Sequence, residues 1–186
     1  MIAMQLASRS QLRMSFLRYA LWTVPLLVLL GSVSGRLANS SQGNPWFDAL
    51  EKPAAMPAGW VFGAVWMILY VLLGLALALI LHARGARGRP PAVSIFLAQL
   101  ALNYAWSPVF FALHRIDAAF AMIVLMFGLS VAAAWLFWGI RRGAALLMLP
   151  YLGWLAFAAW LTWEVDRINP GAEQVASPGA SAEIRL

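Results

Sequence analysis

The sequence predicts an all-α membrane protein, a bundle of five transmembrane helices. Three observations carry that prediction. Of the 186 residues, 63% are hydrophobic and 11% are charged, with a mean hydropathy of +0.78, whereas a soluble domain has about 25% charged residues. Five apolar runs, each close to the roughly 20 residues that cross a bilayer, occupy about 16–33, 58–81, 93–113, 118–140 and 144–165. The charges fall outside those runs, except Arg18 and Glu164 near their ends.

The first run follows a polar stretch with Arg9 and Arg13. A basic start, an apolar core and the small residues Ser32 and Ser34 would also suit a cleaved signal. The retained helix is the better reading, because a membrane helix tolerates Pro25 and lets Arg18 snorkel. Residues 34–57 form a long loop, with Pro45, Pro53 and Pro57 and the charges Asp48, Glu51 and Lys52. Proline denies a backbone donor and holds its predecessor extended, so this loop is expected to be ordered and non-helical. Loops of this length are usually lids or binding loops. Trp46 and Phe47 suit a cover packed over something; an aromatic anchor among lipid headgroups is the alternative. Short breaks separate the remaining spans, and residues 171–186, a flexible C-terminal tail, are expected to fray.

The net charge of +6 does not signal a nucleic-acid partner. Its cations stand between apolar runs, as the positive-inside rule requires. With the N-terminus lie Arg9, Arg13, Arg18, Arg84, Arg87, Arg89, Arg141 and Arg142; on the other side lie Arg36, Lys52, Arg115, Arg167 and Arg185. The N-terminus is therefore expected in the cytoplasm. The long loop, the turn at His114–Asp117 and the tail share the opposite side. Helical spans favour a bacterial inner membrane, with the outer membrane the alternative.

No hydrolase, metalloprotease, P-loop or dinucleotide pattern is present. Without cysteine there is neither a disulfide nor a thiolate metal site. His82 and His114 lie at opposite ends of spans, which does not suit a shared metal. The distinctive residues are aromatic. Headgroup belts account for Trp22 and Trp60, but not for rings inside spans. Phe62, Trp66 and Tyr70 recur every four residues on one helical face. Asn103, Trp106, Ser107 and Phe110 fall within one arc, and a mid-span Asn faces a partner or a cavity. Pro108 leaves the Tyr104 carbonyl without its helical donor. Trp154, Ala158 and Leu161 share a face, and Trp163 points the other way. Gly74/Ala78, Ala101/Ala105 and Gly128/Ala132 have the spacing of close helix contacts. The stripes could each be lipid-facing or bundle packing. Together with the buried Asn and the aromatic loop, they favour one pocket for a large, flat, apolar ligand.

Four blocks then resemble a known family: W-F-D-A-L-E-K-P at 46–53, P-x-G-W-V-F at 57–62, L-N-Y-A-W-S-P-V-F-F at 102–111, and P-Y-L-G-W at 150–154 with R-I-N at 167–169. Their order and spacing are those of the tryptophan-rich sensory protein TspO and mitochondrial translocator protein (peripheral-type benzodiazepine receptor) family. The resemblance implies a five-helix homodimer in lipid, with no obligatory cofactor. It implies a pocket for porphyrins such as protoporphyrin IX and haem, in transport or sensing. The alternative it carries is an enzyme degrading porphyrin in light, with pocket tryptophans as electron donors. By position, Phe47 would cap the pocket, and Trp66, Tyr70, Asn103, Trp106, Ser107, Phe110, Trp154, Ala158 and Leu161 would line it. The family's sterol motif has Trp163 in the tyrosine place, which puts sterol binding in doubt.

Overall fold

The computed structural model describes residues 9–40 and 43–175. All five expected spans are helices: α1 (Arg9–Leu37), α3 (Gly59–His82), α4 (Arg89–Ser107), α5 (Ile116–Ile140) and α6 (Arg142–Ile168), with the short helices α2 (Pro45–Ala49) and α7 (Ala172–Val175). The long five are apolar enough to cross a bilayer, α4 together with the turn that follows it. They close a ring in which α1 packs on α3, α3 on α6, α6 on α5 and α5 on α4. Only a light contact joins α4 back to α1.

Glycine decides how closely α1 lies on α3. A Cβ at Gly74 would meet Val24 Cα at 2.7 Å, and one at Gly31 would run into the Tyr70 ring. The Thr23 hydroxyl donates to the Gly74 carbonyl at 2.8 Å across the same contact. Of the small-residue pairs, Gly74/Ala78 therefore serves packing within the chain. Ala101, Ala105 and Gly128 are exposed on the outside of the bundle, with Ala132 half-buried.

Pro108 acts as expected, and the chain answers it twice. The helix widens to a π turn over Pro108–Ala112, where Leu113 N–H donates to the Pro108 carbonyl at 3.0 Å. The Tyr104 carbonyl takes the Ser34 hydroxyl of α1 instead of a backbone donor.

The cover differs from expectation. Residues 45–49 are helical, because Asn44 caps them: its Oδ1 accepts from Phe47 N–H at 3.0 Å, and Pro45 stands in the first turn, where it costs no bond. The start of the tail is docked rather than frayed. Glu173 accepts from Asp117 N–H at 2.9 Å and pairs with Arg115 at 3.4 Å. The remainder of the expected tail, 176–186, lies outside the described residues.

Candidate functional site: a covered aromatic cavity

One cavity of about 1100 Å³ opens between the helices and under the cover. All ten residues singled out in the sequence line it. From α3, Trp66 stacks on Tyr70 with centroids 5.4 Å apart. From α6, Trp154 stands edge-on to Trp66 at 6.5 Å and to Phe62 at 5.7 Å; Ala158 and Leu161 continue that wall. From α4 and its π turn, Trp106 stacks on Phe110 at 5.0 Å, beside Ser107. The Trp106 indole is fixed by donating to the Ala119 carbonyl at 3.1 Å. Phe47 of α2 closes the top, edge-on to Phe110 and Phe111 at 6.0 and 5.3 Å.

Trp60, read from sequence as a headgroup anchor, also lies on the cavity rim, although 72% exposed. Trp163 faces outward under Arg167, whose guanidinium lies 5.6 Å from its ring. The wall from α1, including Val28, Gly31 and Gly35, was not expected. It has no aromatic stripe to announce it.

The cover is fastened at several points. Lys52 Nζ donates to the carbonyls of Phe47, Asp48 and Leu50 at 2.9–3.1 Å, and lies 5.0 Å from the Phe47 ring centre. Asn169 clasps Glu51 on both sides, accepting from its N–H at 2.8 Å and donating to its carbonyl at 2.9 Å. The Trp46 ring lies tilted against His114, centroids 4.4 Å apart, and its indole N–H donates to the Ala172 carbonyl at 3.4 Å. His114 thus serves the cover, while His82 at the other end meets Ser15 at 3.3 Å. Among the described residues no three His, Cys, Asp or Glu side chains are placed to hold a metal.

The cavity is uncharged except for Asp48 and Lys52 at its mouth. Its inner end is polar. Tyr70 hydroxyl donates to Asn103 Oδ1 at 2.8 Å, Asn103 Nδ2 to Tyr151 hydroxyl at 3.0 Å, and Tyr151 to Gln99 Oε1 at 2.8 Å. Ser130 also donates to Gln99 Oε1, at 3.3 Å. This chain joins α3, α4, α5 and α6. It ends on Gln99 Nε2, the one buried side-chain N or O among the described residues without a partner. An unpaired buried donor costs about 1–3 kcal/mol. Asn103 was legible as a costly mid-span amide; Gln99, on the same helix one turn earlier, was not singled out.

Five apolar helices ringed about a covered aromatic cavity define a multi-pass membrane protein. The sequence matches the TspO/MBR family over residues 23–168, and the chain belongs to that family. It is 36% identical over 124 residues to the tryptophan-rich sensory protein of Cereibacter sphaeroides, covering 67% of this chain and 77% of that protein. It is 31% identical over 131 residues to Protein CrtK of Rhodobacter capsulatus, with 70% and 82% covered. It is 34% identical over 144 residues to the translocator protein of Homo sapiens, with 76% and 85% covered. Every residue of the expected site falls inside the family match.

Proposed function

We propose that this protein is a membrane receptor or carrier for tetrapyrroles, protoporphyrin IX and haem among them, in a transport or sensory role. One observation carries the reading: rings from α3, α4, α6 and the cover converge on a single cavity of about 1100 Å³. Small-molecule sites usually measure about 300–1,000 Å³ and are lined by apolar and aromatic groups with a few polar ones. A flat macrocycle fits that lining. Binding would rest on burial, at about 25 cal/mol per Å² of apolar surface, and on stacking against indole faces. The proposed binding does not call on the iron of haem; it rests on burial and stacking of the macrocycle.

Quenching of protein fluorescence on titration with protoporphyrin IX tests this. Trp154→Ala is expected to weaken binding roughly tenfold, and Trp163→Ala to leave it near the parent value. Equal losses would overturn the assignment of the cavity.

The arginines support an N-terminus in the cytoplasm and a cover facing outward, in a bacterial inner membrane. The chain lacks cysteine, so a single Lys52→Cys label tests this directly. An impermeant maleimide should modify it in intact spheroplasts. Outward-facing Ala101, Ala105 and Gly128 support a homodimer in lipid.

A further inference from the structure

The unpaired Gln99 amide says what the inner end of the cavity recognises. An amide exchanges its oxygen and nitrogen by a half-turn of its terminal bond. Let Gln99 and Asn103 both turn. Gln99 Nε2 then stands where two acceptors wait, at 2.8 Å from the Tyr151 hydroxyl and 3.3 Å from Ser130 Oγ. Tyr151, now accepting from Gln99, donates its own hydrogen to Asn103 Oδ1 across the 3.0 Å contact. Asn103 Nδ2 donates to the Tyr70 oxygen across the 2.8 Å contact. Ser130 turns its hydrogen to a carbonyl of its own helix, as serines in helices do. Gln99 Nε2 then has a partner for each of its two hydrogens, and a single carbonyl oxygen is left over in place of an amide donor. One hydrogen is displaced to the far end of the chain: that of Tyr70, a residue of the cavity lining.

The relay thus has two directions. In one, Tyr70 is satisfied by Asn103 and the core carries an orphan at Gln99. In the other, the Gln99 donors are satisfied and Tyr70 has a hydrogen to offer, which an occupant of the cavity can accept. We infer that the Tyr70–Asn103–Tyr151–Gln99 relay makes the inner end of the cavity a hydrogen-bond donor, selecting flat ligands that carry a carbonyl or carboxylate oxygen. The geometry of Tyr70 suits this role. Its ring is held by the Gly31 notch on one side and by Trp66 on the other, which fixes where the hydroxyl stands. The inference rests on the cavity being a ligand site, as proposed above, and it adds the polarity of that site.

Three tricyclic probes of one shape separate the alternatives: fluorenone, which offers a carbonyl acceptor, carbazole, which offers an N–H donor, and fluorene, which offers neither. Purified full-length protein should bind fluorenone roughly fivefold more tightly than the other two, the factor expected of one net hydrogen bond. The carbonyl stretch of bound fluorenone should be lowered by the contact in difference infrared spectra. Tyr70→Phe keeps the ring in its notch and removes the donor. In it the three affinities should converge, and the stretch should return towards its value in an apolar solvent. Gln99→Met leaves Tyr151 free to donate to Asn103, so it should keep the fluorenone preference. Equal affinities in the parent protein, or a lowered stretch that survives Tyr70→Phe, would overturn the relay while saturable protoporphyrin IX binding upheld the cavity. If neither the tricyclics nor protoporphyrin IX saturates, the cavity reading fails and the relay's role fails with it.

Discussion

The bundle has two halves made from the same helices, and α3 runs through both. From Gly59 to Tyr70 it turns Phe62, Trp66 and Tyr70 towards the cavity. From Leu73 to Ile80 its inward residues are Leu73, Ala76, Leu77 and Ile80, none more than 6% exposed. There they meet Phe96, Phe137, Ala144 and Met148 in a core that is fully buried. Side-chain shape distinguishes the halves. Large flat rings, some stacked and some edge to face, line the cavity at one end. Leucine, alanine and methionine interdigitate at the other, and interiors of that kind pack as densely as organic crystals. The polar relay from Tyr70 to Gln99 runs along the boundary. A hollow in one half is stable because the other half is solid.

That contrast can be broken from the solid side first. Phe96→Ala removes a fully buried ring stacked on Phe137 at 5.5 Å and should cost about 3–5 kcal/mol. It should appear as a large drop in melting temperature followed by intrinsic fluorescence. If the melt hardly moves, the closed half is not what holds the bundle. The two glycine contacts sharpen the comparison. Gly74→Ala drives a methyl into the Val24 backbone, which cannot yield, and should destabilise by about 1–3 kcal/mol with ligand affinity at saturation little changed. Gly31→Ala drives a methyl into the Tyr70 ring and should do the reverse, impairing protoporphyrin IX binding more than the melt. The same response from both variants would erase the distinction between halves. Asn169→Ala unclasps Glu51 and should cost about 1 kcal/mol, read as a several-fold faster release of bound protoporphyrin in stopped flow. An unchanged release rate would mean the cover is held by its other fastenings. Trp163→Ala, outside both halves, should shift stability by less than about 0.5 kcal/mol.

Much of this was readable from residue types alone. Charge-free runs of bilayer length marked the five spans, and four-residue spacing put Phe62, Trp66 and Tyr70 on one face. What escaped had weak local signals. The α1 wall of the cavity includes Gly31 and Gly35, which present no side chain, and no periodicity reports an absence. The α2 helix did leave a signature, Asn44 followed by Pro45 with Asp48 in the first turn. Three prolines within the loop outweighed it, although proline at the start of a helix favours one. Gln99 and Ser130 are polar residues within apolar runs that nothing local singles out. They gain meaning only once the fold sets them beside Tyr151. Asn169 was noted as part of a terminal motif, but its clasp on Glu51 joins residues 118 positions apart, a pairing no local pattern contains.

The bond between Ser34 and the Tyr104 carbonyl has an evolutionary corollary. Pro108 creates a debt inside one rod that a hydroxyl on another rod settles. In hydrocarbon no water stands ready to substitute. The two positions are therefore not free to drift independently. A lineage that replaces the proline releases the serine from selection, and one that loses the serine first inherits a stray oxygen in lipid. Among related chains the pair should change together or not at all.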